Sequence, residues 1–530
     1  MLDRIERQFD CLIDHYIVAC IFLALIILTQ IGVGDMRTVS MLGLLLCVVG
    51  IAQPAAQVDL WILLPLIGFD LIGIASTVAA YGNITDGYGT FYAVFPLLYL
   101  LTACLDKKEQ RMLKQLCVLW TGTVAAAGIG QFLYHALWQG SARRMGGLLG
   151  NPNAMGIFLV VGWCVLQGFL PEWEEEEGQE TEQRVQKGKR RQKERGGQEE
   201  PKGWSVAHGR LLAHIEPVLL VALTLTLSMG SFIAMAAGIC ALLIGKRRSG
   251  RGRAALAGDG GQVPGRAALA GNGRQIPGRA LLAGDGRRAG GSPSTILRYA
   301  CQLLAKAVLG IGTGMLLYLA AARSGLPVSS LLVLVYGVAL AILWPRFLRF
   351  LEAYPKIAAG LSALGVLVAA AAVIVRPSAI ATFTERLEMM QNGLHYLTQS
   401  PLLGVGPYKW RYLNLADSDK YFNTWHIHNV LLHAGVEFGW IAMGMLLMIG
   451  GRAFQKKTEP SAKAGFTAFC IHNMIDTSFF YLGITSLTLL AAGDPGCGEK
   501  QVRGPALKAL FGVAALLFAY SLYQGLKLAP

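Results

Sequence analysis

Val58-Asp-Leu-Trp-Ile-Leu-Leu-Pro-Leu-Ile-Gly-Phe-Asp70-Leu-Ile-Gly-Ile-Ala-Ser-Thr-Val-Ala-Ala80 is one apolar stretch whose only charges are Asp59 and Asp70. A run of about 17 to 25 mainly apolar residues can cross the hydrocarbon core of a bilayer. In lipid its backbone groups must bond within the segment, so the span is read as a helix. Asp70, between Phe69 and Leu71, is expected to pair with a buried polar group or to line a cavity. Comparable runs lie near 16–34, 38–53, 89–105, 112–138, 152–171, 211–228, 231–245, 299–322, 328–345, 356–376, 426–450, 464–493 and 507–527. The 464–493 run breaks around Asp476 to Phe480, which suggests a hairpin of two short helices. The expected fold class is all-α: a polytopic integral membrane protein with about 12–15 transmembrane helices.

Composition agrees with this reading. Of 530 residues 54% are apolar and 15% charged, and mean hydropathy is +0.46, whereas a typical soluble domain carries about 25% charge. Lys and Arg outnumber Asp and Glu by 47 to 33, a net +14, but the placement of the excess excludes a nucleic-acid partner. Ten of these cations, against Asp259 and Asp285 alone, lie between Lys246 and Pro293, and cytoplasmic loops carry such charge. Eight of the ten cysteines fall within apolar runs and none has CxxC spacing, so they read as buried thiols. Met1 to His15 leads into the first run without a small-residue cleavage site, so that span is expected to stay.

The basic clusters at Lys107–Arg111, 172–210, 246–293, Arg346–Lys356 and Arg452–Lys463 fall in alternate loops, which assigns those loops to the cytoplasm. The expected organisation is therefore N-terminal spans within 1–171 with an outer loop 139–151, a charged disordered cytoplasmic loop 172–210, and spans in 211–245. A basic Gly-rich linker 246–293, spans in 294–376, an outer-face catalytic loop 377–425 and C-terminal spans in 426–530 complete it. The linker contains a repeat, Arg253-Ala-Ala-Leu-Ala-Gly-Asp, Arg266-Ala-Ala-Leu-Ala-Gly-Asn and Arg279-Ala-Leu-Leu-Ala-Gly-Asp, interrupted by Gly and Pro. It reads as a flexible linker, or alternatively as a surface for anionic lipid headgroups.

Chemistry concentrates in the outer loops. The first reads Gly140-Ser-Ala-Arg143-Arg144-Met-Gly-Gly-Leu-Leu-Gly150-Asn151-Pro152-Asn153. Adjacent outer arginines oppose the positive-inside bias, and an anionic ligand accounts for them as well as lipid phosphates do. Asn151-Pro152-Asn153 suits the capped start of a helix. The second loop holds Arg386, His395, Pro401-Leu-Leu-Gly404-Val-Gly406-Pro407-Tyr-Lys409-Trp410 and Trp425-His426-Ile-His428-Asn429. Apolar spacing predicts a helix from Arg386 to His395, halted by Pro401 and turned at Gly404 and Gly406. Imidazoles here can take a proton from a hydroxyl, whereas a metal would need a third ligand from His395, Asp417 or Asp419. His472 and Asp476, four apart, would share a helix face.

Arg386 before an apolar helix, Pro401-Leu402-Leu403-Gly404-Val405-Gly406, and His428-Asn429 followed by Glu437-Phe438-Gly439 resemble the signature of the O-antigen ligase and O-antigen polymerase family, as does Arg144 with Asn151-Pro152-Asn153. The resemblance implies a glycosyltransferase that takes a sugar chain from undecaprenyl pyrophosphate, without cofactor or metal. The acceptor would be a hydroxyl of a lipid or of another lipid-linked glycan, in the bacterial cytoplasmic membrane with the active site on its outer face. It matches His428 to an essential histidine, and Arg386 and Arg144 to pyrophosphate-binding arginines. His428 and Arg386 are the candidate catalytic residues; Arg144, Arg143, Asn151, Asn153, Lys409, Asn429, Glu437, His472 and Asp476 are candidates for substrate binding. Met229 stands where the family often has arginine. Either Arg143, Arg323 or Lys409 then supplies the charge, or the donor is handled differently, or activity is lost. The rivals are a polysaccharide or lipid transporter, for which repeated sets of helices would be expected, and an inactive scaffold.

Overall fold

The computed structural model describes residues 15–32, 35–86, 88–170, 203–258, 293–324, 327–374, 378–417, 422, 424–456, 458–492 and 500–527. Each run expected to cross the membrane contains helix there, with irregular stretches at 426–429 and 474–481. Among the described residues six helices are long and apolar enough to span by themselves: Leu60–Tyr81, Lys107–Trp138, Met229–Arg248, Ser294–Ala322, Leu334–Ala353 and Gly504–Lys527. Six shorter apolar helices join them, Tyr16–Ile31, Met36–Ile51, Gly89–Thr102, Pro152–Leu166, Leu212–Thr226 and Leu482–Ala491. The charged stretch 171–202 and the repeats from 259 on lie outside the described residues, as does Asp419. Helix Gly203–Thr226 begins before 211, and helix Met229–Gly258 continues past 245 through Lys246, Arg247 and Arg248, residue types that favour helix as well as bearing charge.

An all-α reading omits one small element. Ala55–Val58 pairs antiparallel with Lys500–Arg503, Ala55 opposite Arg503, and four residues are too few for an alternating pattern to stand out. Beside this ribbon the buried carboxylate of Asp59 accepts from Arg452 Nε at 2.8 Å and lies 3.5 Å from Lys456 Nζ. Elsewhere in the bundle Glu216 is fully buried but receives Gln167 Nε2 and Trp344 Nε1, both at 2.9 Å, and Trp163 Nε1 at 3.3 Å. Buried charge is tolerated where donors surround it. Asp70 is buried too, and its Oδ1 finds no hydrogen-bond partner among the described residues.

Two irregular segments shape one end of the bundle. Helix Pro460–Asn473 stops and helix Leu482–Ala492 begins after a break, as the hairpin reading anticipated. His472 and Asp476 consequently do not share a helix face: Asn473 turns the chain, its Nδ2 bonding Phe469 O and its Oδ1 accepting Phe479 N. These side chains meet backbone groups that the broken helix leaves open.

The second segment follows helix Ser378–Gln399. Ser400 Oγ donates to Gly404 O, and Gly404 and Gly406 take φ of +68° and +102°. The loop then docks on helix Val430–Phe438: Val405 N donates to Val436 O, Gly406 N to Glu437 O, and Trp440 N to Pro401 O. Gly439, φ +90°, sits where a Cβ would run into the Leu402 carbonyl. Pro401–Gly406 and Glu437–Gly439 thus form a backbone latch. Gly439→Ala is expected to cost at least about 1–2 kcal/mol from its left-handed backbone alone, read as a lower midpoint of thermal unfolding in detergent; an unchanged midpoint would show that the latch carries no stability.

Candidate functional site

Between these segments lies a cleft of about 920 Å³, lined by residues of the 81–86 turn, Asn151 to Ala154, Tyr408, Tyr412, Thr424 to His428 and Asp476 to Tyr481. The volume is at the upper end of the range for ligand pockets, about 300–1,000 Å³.

Local structure fixes each wall. Asn151 caps helix Pro152–Leu166, its side chain accepting from Asn153 N and Ala154 N, with Pro152 in the first turn. Asn429 likewise caps helix Val430–Phe438 through Leu432 N and reaches Met474 O at 3.3 Å. That second contact ties the His428 segment to the hairpin break. Both asparagines hold their neighbours in place through ordinary capping.

Asp476 is the meeting point. Its Oδ2 accepts from Asn153 Nδ2 at 2.8 Å and lies 3.4 Å from Arg386 Nη2; its Oδ1 accepts from Thr477 N at 2.8 Å and faces His428 Nδ1 at 3.9 Å. The last separation is that of an ion pair and is too long for a hydrogen bond. Arg386 Nη1 also donates to Ile475 O. Arg144 completes the chain, Nη2 donating to Asn153 Oδ1 at 2.8 Å and Nε to Thr226 O at 2.9 Å. One arginine, a histidine and an asparagine from three distant parts of the sequence therefore converge on one carboxylate, and a second arginine joins through the asparagine. Among the described residues Arg386 Nε and His428 Nδ1 are buried without a hydrogen-bond partner, which leaves polar capacity at the site unused.

Burial lowers the basicity of His428 below the ordinary imidazole range, with Asp476 working against that shift and Arg386 adding to it. His428 is thus neutral near pH 7 and able to accept a proton. His426 is pushed down to about 3, chiefly by burial. Its Nδ1 lies 3.1 Å from His433 Nε2, and its ring stacks on Phe480 at 4.5 Å.

The remaining sequence candidates lie apart from this network. Arg143 Nε bonds Ser141 Oγ. Lys409 Nζ donates to Ala80 O at 2.9 Å and covers the Tyr81 ring. Glu437 is fully buried, 3.4 Å from His433 Nε2, and does not line the cleft. His472 is buried with Nδ1 3.1 Å from Ser478 Oγ, its other edge against Gly230. His395 is exposed, its Nε2 lying 2.9 Å from Gln399 Nε2 one turn along the same helix. Among the described residues no three His, Cys, Asp or Glu are placed to hold a metal. Met229 begins helix Met229–Gly258, three positions after the Thr226 carbonyl that holds Arg144, so a guanidinium from the neighbouring loop already reaches this span end.

Sequence reading missed Asp86, Tyr408, Tyr412, Trp425 and Tyr481 as cleft residues. Only the density of aromatic residues around the loop glycines hinted at them.

A helical membrane bundle with a cleft whose wall carries an imidazole and a carboxylate, with two arginines bonded to the residues of that wall, defines the class as far as geometry goes. Residues 307–447 match the family model of O-antigen ligase, which supports the O-antigen ligase and polymerase family that the motifs resemble and, in general terms, a glycosyl-transferring function. No curated protein matches the chain.

Proposed function

We propose that this chain transfers a glycan from undecaprenyl pyrophosphate to a hydroxyl acceptor at the outer face of a bacterial cytoplasmic membrane, in ligation or polymerisation of surface polysaccharide. The observation that carries the reading is the convergence of Arg386, His428 and the Arg144–Asn153 pair on Asp476 at the cleft wall.

His428, with a proton assigned to the Nδ1 that faces Asp476, leaves Nε2 to accept the proton of the acceptor hydroxyl. The hydroxyl oxygen bonds to the anomeric carbon as the bond to the pyrophosphate oxygen breaks, and the electron pair leaves on the pyrophosphate. A single displacement of this kind inverts the anomeric configuration. Negative charge grows on the leaving phosphate, where guanidinium groups held in advance stabilise it by several kcal/mol. Arg386 and Arg144 take that role, and Asp476 keeps them and His428 aligned until the donor arrives. Arg144, which bonds the Thr226 carbonyl three positions before Met229, supports retained activity over an inactive scaffold.

The test is transfer by purified protein supplied with lipid-linked oligosaccharide. Because arginines carry the charge, turnover is expected to survive excess EDTA. Arg386→Lys and Arg144→Lys retain charge but lose the planar fork, so each should weaken donor binding together with turnover. Parent-level transfer by both lysine variants would make the arginines lipid anchors, and loss of transfer in EDTA with rescue by Mg²⁺ would replace the arginine clamp.

A further inference from the structure

The transfer step uses only part of the cleft. A second part is aromatic: Tyr81, Tyr408, Tyr412 and Trp425, with Asp86 as its carboxylate. Two of the rings are open, Tyr412 being 59% and Trp425 47% exposed.

Three of the four rings, Tyr81, Tyr408 and Trp425, are held in place. The Arg411 guanidinium lies 4.0 Å from the centre of the Trp425 ring, and Tyr408 meets Trp425 at 83° with centroids 6.0 Å apart. Tyr408 itself sits at φ +61°, a conformation costly for a bulky residue, and is wedged against Tyr88 at 4.3 Å. Local strain of this kind persists where surrounding structure over-determines a position. The Tyr81 hydroxyl donates to Pro407 O, which ties the 81–86 turn to the same loop. Asp86 Oδ2 accepts from Asn83 Nδ2 at 2.8 Å, and no hydrogen bond to Oδ1 is formed by the described residues.

Fixed aromatic faces beside a carboxylate suit one chemical class. A pyranose presents an apolar C–H face that an aromatic ring covers and hydroxyls that a carboxylate accepts. A polyprenyl chain would gain nothing from Asp86 and is equally at home on the lipid-facing helices. We propose that Tyr412, Trp425, Tyr81 and Tyr408, together with Asp86, form a subsite for uncharged sugar residues next to the pyrophosphate, gripping them by ring stacking and a hydroxyl–carboxylate bond. This rests on the glycan-transfer reading and adds to it where the sugar lies.

The full chain in nanodiscs is titrated with two probes: undecaprenyl pyrophosphate without sugar, and the glycan released by mild acid from the lipid-linked donor of the same cells. Trp425→Ala and Tyr412→Ala should each weaken glycan binding by about tenfold, the loss of one aromatic face, and leave undecaprenyl pyrophosphate binding unchanged; Arg386→Lys should do the reverse. Asp86→Asn, which keeps the shape, should weaken the glycan alone. Glycan binding at parent strength in all three cleft variants would overturn the subsite. Glycan binding without any binding of undecaprenyl pyrophosphate would keep the subsite and sink the transfer reading. In turnover, a raised KM for donor assigns the rings to the donor glycan and a raised KM for acceptor to the acceptor glycan, while an unchanged KM for both overturns the proposal.

Discussion

His428→Ala is expected to lower glycan transfer by roughly 100-fold or more, the scale of a positioned base, while expression, membrane insertion and thermal stability stay near those of the parent. Stability is spared because His428 Nδ1 forms no hydrogen bond whose loss would orphan a partner. The matched control is His395→Ala, since His395 is exposed and bonded to Gln399 one turn along its own helix. His426 is no control, because it is buried, lines the cleft and is held against His433. Transfer near the parent rate by His428→Ala would remove this residue from the mechanism. Since burial lowers its pKa, and the neutral ring is the active form, the acid limb of kcat/KM should fall below the ordinary imidazole range.

Asp476→Asn is expected to cost between roughly 10² and 10⁴ in kcat/KM, the upper figure being the loss when the orienting carboxylate of a Ser-His-Asp triad becomes an amide. The amide keeps the shape but removes the charge that opposes the downward shift of His428. A base is active once deprotonated, so a lower pKa moves the acid limb to lower pH. Arg386→Ala removes a charge that lowers the same pKa, and its limb should move to higher pH. Limbs that shift in one direction in both variants, or not at all, would separate His428 from Asp476 and Arg386. A purely structural role for Asp476 would lower the amount of folded protein without moving either limb.

The spans were legible because hydropathy is local: each helix carries its own signal in consecutive residues, and even the break near Asp476 was visible as polarity inside an apolar run. The latch was half legible. Gly404 and Gly406 announced a turn, but that Gly439 receives the Leu402 carbonyl depends on how two remote segments pack. His428, Arg386, Arg144, Asn153 and Asp476 were each singled out separately, by residue type, position or resemblance. Their assembly was not, since Asn153 and Asp476 lie 323 positions apart, and nothing in either neighbourhood specifies the other. Glu437 illustrates the converse. A carboxylate in a motif invites a role with substrate, yet it is buried against His433 and does not line the cleft. The aromatic cleft residues gave only the weak hint of their density around the loop glycines, because tyrosine and tryptophan are common near membrane surfaces for reasons unrelated to ligands.

The stretch that matches the O-antigen ligase family ends at residue 447, whereas the carboxylate on which the site converges is residue 476 and its asparagine partner is residue 153. A gene cut short soon after the matched stretch would still encode Arg386 and His428 and would still be recognised by that stretch. Its product would have the arginine and the histidine with nothing between them, and Arg144 would have lost its link to both. On the proposed mechanism, a copy of this chain cut short before the hairpin near 460–492 is expected to carry the matched stretch and yet to transfer no glycan.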